Sequence, residues 1–141
     1  MDLLEAGGRR ASFLEGAVNR LGLGGRVHVL HARAEVCGRD GDHRGAYDGA
    51  LARSFGRPAV VAECAAPLLK LGGWLVVSEP PAEEPEPAAD TRWPPGPLGQ
   101  LGLERLALVH ERFDYRTLRL TEPCPDRFPR RDGVPSKKPL F

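Results

Sequence analysis

The sequence predicts an α/β protein built on an open, mostly parallel sheet that ends in one antiparallel hairpin. Three observations carry that prediction. Short apolar runs of strand character alternate with segments whose apolar residues recur at helical spacing. Glycines stand where each helical segment would stop. Two further strand-like runs then follow one another almost without a break near the C-terminus, which is too close for a parallel crossover.

Taken in order, residues 2–5 read as a short strand end, Leu3-Leu4 closing on the acid Glu5. From about Arg9, the residues Phe13, Leu14, Ala17, Val18 and Leu21 repeat at helical spacing, and Gly22 stops that helix. Gly16 inside it costs about 1 kcal/mol relative to alanine. Val27–Leu30 is a second strand, followed by Ala34-Glu35-Val36 and a Gly/Asp-rich loop over 38–45. Tyr47–Ala52 is a third strand. Pro58–Lys70 is predicted as a helix burying Val61, Ala65, Leu68 and Leu69, with Gly72-Gly73 ending it. Trp74–Val77 is apolar throughout, the pattern of a strand covered on both faces. Seven prolines between 80 and 97 exclude a helix or central strand and predict a loop or cover. Residues 104–113 and 115–122 form the hairpin, turning near Asp114. The predicted organisation is one α/β domain over 1–122, with the Pro-rich loop at 80–97, and an extended, basic, Pro-rich tail over 123–141.

Composition narrows the function classes. With 141 residues, 41% hydrophobic and 28% charged, the chain reads as one soluble globular domain. No apolar run approaches the roughly 20 residues needed to cross a bilayer. The acidic start, Met1-Asp2-Leu3-Leu4-Glu5, is unlike a secretory signal, so a cytoplasmic location is expected. Cys37, Cys64 and Cys124 are odd in number and far apart, and His28, His31, His43 and His110 form no ligand spacing. Reduced thiols and no metal are therefore expected. Net charge is only +1, but residues 79–90 hold five acids and no base, and residues 123–141 hold five bases against two acids. Those bases, Arg127, Arg130, Arg131, Lys137 and Lys138, are the candidates for binding phosphates, a solvated terminus being the alternative. Trp93 and Phe128 are candidates for stacking on bases or for packing.

Strand–helix units closing on a hairpin are typical of the Rossmann-like sheet of class I S-adenosylmethionine-dependent methyltransferases. Particular segments sharpen this. Leu3-Leu4-Glu5, then Arg9-Arg10 and Phe13-Leu14-Glu15, resembles the acidic-strand, basic-pair, Phe-Leu pattern of the RsmG (GidB) family. These are bacterial 16S rRNA guanine-N7 methyltransferases. Ala32-Arg33-Ala34-Glu35 is similar to the family's next motif, and Tyr47-Asp48-Gly49-Ala50 with Ala52-Arg53-Ser54-Phe55 to its third. Phe128-Pro129-Arg130-Arg131, Gly133-Val134-Pro135 and Lys137-Lys138-Pro139-Leu140 resemble the C-terminal signature of many members. Ser78-Glu79-Pro80-Pro81 is a poor match to the amino-methyltransferase motif, since Ala82 stands in place of its aromatic residue.

The resemblance implies S-adenosylmethionine as cofactor and 16S rRNA or the 30S subunit as partner, with the protein a monomer. It implies Glu5 on the cofactor's ribose hydroxyls, Ala34 and Glu35 at the adenine end, and Arg53 in the same site. The plainer alternatives are an exposed terminal acid, a helix first-turn acid favoured by the macrodipole, and a surface arginine. No catalytic base is implied, because guanine N7 carries a lone pair and no proton, so proximity and alignment suffice. The family's first strand and Gly-rich turn have no counterpart here. Weak or absent cofactor binding is therefore expected, with Met1 a mis-placed start, or the chain a remnant or a non-catalytic RNA-binding or interaction module. A strand absent between 2–5 and 47–52 would leave about 10 Å to close or to stay open.

Overall fold

In the computed structural model, which describes residues 1–80 and 91–141, strands and helices alternate as predicted. The elements are β1 (Asp2–Glu5), α1 (Gly8–Arg20), β2 (His28–His31), α2 (Ala34–Cys37), β3 (Tyr47–Ala52) and α3 (Pro58–Ala65). They continue with β4 (Leu69–Glu79), α4 (Pro95–Gly99), β5 (Leu103–His110), β6 (Asp114–Leu120) and α5 (Val134–Lys137). The strands form two sheets, not one. β1 and β2 pair in parallel, Leu3 opposite Val29 and Leu4 opposite Leu30. The other sheet has the order β3-β4-β6-β5, with β3 parallel to β4 and both remaining pairings antiparallel. Of the two outcomes foreseen at the break, the structure therefore shows the open one.

The core lies on one face of the four-stranded sheet. Leu75 and Val77 of β4 meet Leu118 and Leu120 of β6 and Leu103 of β5, while Val61, Ala62 and Ala65 of α3 cover them together with Trp93, Leu98 and Leu101. A second cluster, Ala34, Val60 and Cys64 with Leu4 against it, ties β1 to α2 and α3. Helix α3 thus spans both sheets.

Several expectations are corrected. The helix predicted to reach Lys70 ends at Ala65 and passes through a 3-10 turn, Ala66–Leu68, because Pro67 has no N–H to continue the α-helical ladder. Lys70 and Leu71 belong to β4, and Gly72-Gly73 sit inside that strand instead of capping a helix. Gly72 has φ +81°, and a Cβ on Gly73 would lie 2.8 Å from the Lys70 carbonyl oxygen. The pairing with β3 shifts register here, between Tyr47 and Gly49, as at a bulge. β4 is covered on one face only: Leu75 and Val77 are buried, and Trp74 is 44% exposed with the Arg119 guanidinium over its ring.

In α1 the expected apolar face is largely open. Val18 and Ala11 are buried, but Phe13 and Leu21 are 66% and 70% exposed. Part of the Pro-rich stretch is helical after all, Pro95–Gly99, with prolines at its first turn where a missing N–H costs nothing. The acids Glu83, Glu84, Glu86 and Asp90, with Pro81 and Ala82, lie outside the described residues.

The C-terminal segment is not an extended tail. It turns through α5 and docks on α2 and α3, with Phe128, Pro129 and Pro135 buried. Phe128 is thus a packing residue of the main core, as is Trp93, and neither side chain is free to stack on a base.

Candidate cofactor site and C-terminal clamp

β1 and β3 are linked at both ends without touching along their backbones. At their starts, the Tyr47 hydroxyl donates to Asp2 Oδ2 at 2.7 Å. Near their ends, Leu4 packs against the cluster of Ala34 with Val60 and Cys64 of α3, the helix that follows β3. The two strands therefore run the same way. Glu5, the turn before Ala34, and Arg53 all come at the C-terminal ends of parallel strands, the side where open α/β sheets bind ligands.

Glu5 is held but not exhausted. Its Oε1 accepts the Gly7 N–H at 2.6 Å and an Arg10 N–H at 2.7 Å. These bonds, Arg10's first and Gly7's second, hold its carboxyl well below the usual range, at about 2. Among the described residues, nothing hydrogen-bonds its second oxygen. Arg53 is exposed and has no recorded partner among the described residues. The next residue, Ser54, has φ +53°, the left-handed conformation that a non-glycine residue adopts at a cost of order 1–3 kcal/mol. Such strain gathers at functional turns.

Ala34 and Glu35 are buried, and the Glu35 side chain faces the protein. Its Oε1 accepts Arg33 Nη2 at 3.0 Å and the Gly133 N–H at 2.9 Å. Burial opposes its ionisation, but the N–H donors and Arg33 outweigh it and lower its pKa. The side chain is buried, with its Oε1 shared between Arg33 and the C-terminal segment.

The same segment explains the basic cluster. Arg130 is no free cation: its Nε and Nη2 donate to the two oxygens of Glu63 at 2.8 and 2.6 Å, and its backbone N–H adds a third bond at 2.9 Å. Glu63 is fully buried. Arg39 pairs with Asp132, and Arg44 donates to the carbonyls of Gly38, Phe128 and Cys124 at 2.7–2.9 Å. The guanidinium of Arg127 lies over the Phe128 ring. Arg127, Arg131, Lys137 and Lys138 remain exposed. Glu63 escaped the sequence reading, although a lone acid within Ala59-Val60-Val61-Ala62-Glu63-Cys64-Ala65 signals a buried, paired carboxylate. Arg10 was read only as one of a basic pair; its role on Glu5 needed coordinates.

Other groups are inert. The three cysteines are free, and burial pushes the thiols of Cys64 and Cys124 up to about 12 and 11. Among the described residues there is no group of acids, histidines and cysteines placed to hold a metal, and no helix long and apolar enough to cross a membrane. Surface hollows among the described residues include one between α4 and β5 and another beside Arg44 and Cys124. Neither is lined by Glu5, Ala34, Glu35 or Arg53.

Strands and helices in this arrangement define a Rossmann-like α/β fold. Solved structures agree at the level of fold. A Haemophilus influenzae protein assigned as a methylase is 14% identical, covers 86% of this chain and 72% of its own, and gives a TM-score of 0.56. TYW2 of P. horikoshii, solved in complex with MeSAdo, is 15% identical over 84% of this chain and 46% of its own, with a TM-score of 0.57. Sequence goes further. The family model for rRNA small subunit methyltransferase G (GidB) matches residues 1–91, so the chain belongs to that family. The ribosomal RNA small subunit methyltransferase G of Rubrobacter xylanophilus is 38% identical over 98% of this chain, and that of Deinococcus radiodurans 35% identical over 94%. The chain spans about half the length of these relatives, 55% and 53% respectively.

Proposed function

We propose that this chain carries the adenosine-binding half of an S-adenosylmethionine site and serves methylation of a guanine N7 in 16S rRNA. The observation that carries the reading is the pair of uncommitted groups at the ends of β1 and β3: the second oxygen of Glu5 and the guanidinium of Arg53. A carboxylate there accepts hydrogen bonds from ribose hydroxyls. Ala34, with no bulk beyond Cβ, leaves room for a flat base beside them. Family membership supports rRNA as the substrate class, and the MeSAdo in a protein of the same fold supports the cofactor class.

The chemistry asks little more of the chain. The bound sulfonium would supply an electrophilic methyl group, and guanine N7 a lone pair in the ring plane. The protein's part is to hold the two in line, worth several kcal/mol of barrier where the geometry is good. In this reading the described residues hold the adenosine end of such a ligand, and the chain by itself binds the cofactor weakly. The exposed cations Arg127, Arg131, Lys137 and Lys138 supply a salt-dependent hold on phosphates of the rRNA or 30S subunit. Work on a ribosomal subunit would put the protein in the cytoplasm, as a monomer.

The test is an amide chemical-shift titration with millimolar S-adenosylmethionine. Shifts clustered at Gly7, Ala34 and Arg53–Phe55, lost in Glu5→Gln, support the reading. Shifts elsewhere, or none, reject it. For RNA, the quadruple glutamine variant at Arg127, Arg131, Lys137 and Lys138 is expected to lose its salt-sensitive binding. Deleting 123–141 is no clean substitute, because it also removes Phe128 and the partner of Glu63.

A further inference from the structure

Trp93 and Phe128, the rings that the sequence offers for stacking on bases, are buried in the core, but two other aromatic residues hold the exposed positions that such a contact needs. Phe55 is 50% exposed and Phe113 56%. Distant in sequence, they are brought to one edge by the sheet. Ala52 of β3 stands opposite Val77 of β4, and Val77 opposite Arg116 of β6. Phe55 follows Ala52 by three residues, and Phe113 precedes Arg116 by three. Because β3 runs parallel to β4 and β6 antiparallel to it, both steps lead the same way, past Glu79 at the end of β4. The two residues therefore flank the end of β4 in one row, on strands two spacings, or roughly 10 Å, apart. Arg53 stands at this same edge, the C-terminal side of the parallel strands, where open α/β sheets bind ligands.

The surroundings suit a nucleotide. Arg53-Ser54-Phe55-Gly56-Arg57 is exposed throughout and holds two cations, one ring and no acid. Ser54, in the left-handed conformation, turns the chain between Arg53 and Phe55. At the hairpin tip the Arg112 guanidinium lies 5.6 Å from the centre of the Phe113 ring, so a positive charge stays beside that exposed ring. Of the acids along this edge, Asp114 is hydrogen-bonded to His110, and Glu79 to Arg92 and Trp93. Glu111 is exposed, against the exposed cations Arg53, Arg57 and Arg112. Trp74, also part exposed, lies in the middle of β4 under Arg119, away from this edge.

We propose that Phe55 and Phe113 form the seat of the acceptor base: an unpaired guanine of the RNA stacks on Phe55, with Phe113 across the end of β4 as its second wall, while Arg57 and Arg112 hold the flanking phosphates. Every base has a π-face, so rings in this position favour a splayed-out, single-stranded base over one held in a duplex. The place is right for transfer. Phe55 is two residues past Arg53, so a base on its ring lies next to the candidate cofactor site, as the alignment of N7 with a methyl group requires. This seat presupposes rRNA as the substrate class and adds to it the residues that hold the acceptor. Arg127, Arg131, Lys137 and Lys138, by contrast, grip phosphates without regard to the base.

The probe is a short RNA strand with guanine at its centre and abasic sites elsewhere, titrated into the full chain beside a twin that has no base at all. The guanine strand is expected to bind about tenfold more tightly than its twin. Phe55→Ala and Phe113→Ala should each remove most of that preference and leave the affinity for the twin unchanged, and Phe55→Trp should keep it. Both positions are exposed, so neither variant removes core packing. Ring-proton shifts of Phe55 and Phe113 in the unaltered chain, moved by the guanine strand and not by its twin, give a second readout. Equal affinity for the two strands would overturn the proposal and leave the phosphate contacts standing. A preference that survives both alanine variants would overturn it as well. Binding of neither strand would reject it together with the rRNA reading.

Discussion

Around β3-β4-β6-β5, fourteen buried apolar residues form one continuous cluster, from Val61 on α3 to Phe128 in the C-terminal segment. Around β1-β2, the corresponding cluster has three, Ala34, Val60 and Cys64, with Leu4 packed against it. Two of those three belong to α3 or follow from its position. The four-stranded half has a core of its own, closed by a C-terminal segment that binds α2 and α3 through Arg130–Glu63 and Gly133–Glu35. The two-stranded half borrows its support. It nevertheless carries Glu5, the residue on which the cofactor reading depends most. Most of the stability thus lies in one half, while the candidate site draws Glu5 from the other half and Arg53 from the end of β3.

The comparison can be broken most forcefully at the clamp. Arg130→Ala leaves Glu63 charged, buried and unpaired, and should destabilise the protein by about 3–5 kcal/mol in urea unfolding. A loss below about 1 kcal/mol would mean that the C-terminal segment is not part of the stable half. Next, Leu118→Ala in the buried sheet should cost about 2–5 kcal/mol. Leu4→Ala in the partly exposed half should cost only about 1 kcal/mol. Equal losses would erase the distinction. Native-state hydrogen exchange sharpens it without mutation. Amides of β1 and β2 should open at lower free energy than those of β4 and β6, whose exchange should approach the global limit.

The smallest effect concerns Glu5. Its folded pKa, about 2, lies below the ordinary 4.5, so its bonds to Arg10 and Gly7 favour the folded state fully above that ordinary value. The contribution fades as pH falls from about 4.5 to about 2. Carboxyl NMR should find Glu5 titrating near 2, and Arg10→Ala should move it back toward the ordinary value. A titration near 4.5 in the unaltered protein would remove Arg10 as its partner.

Much of this was legible in the sequence where a local rule acts alone. β1, β3 and the hairpin follow from short apolar runs, and Gly22 (φ +65°) ends α1 as a glycine should. The family patterns around Leu3-Leu4-Glu5 and Arg53 agree with the family assignment. The misreadings share a cause, tertiary context. Gly72-Gly73 looked like a helix stop because a bulge within β4 has the same residues as a cap. Glu35 looked like a ligand contact because its burial under Gly133 involves a residue 98 positions away. The basic cluster looked free because net charge does not reveal that Arg130 answers a carboxylate hidden in α3. Phe13 recurs at helical spacing with Val18, yet it is 66% exposed.

Calorimetric titration of S-adenosylmethionine into the chain alone tests most directly the proposal that the described residues hold only the adenosine end of a cofactor. The account predicts no binding in the micromolar range. Micromolar affinity, retained in the presence of physiological salt, would contradict it.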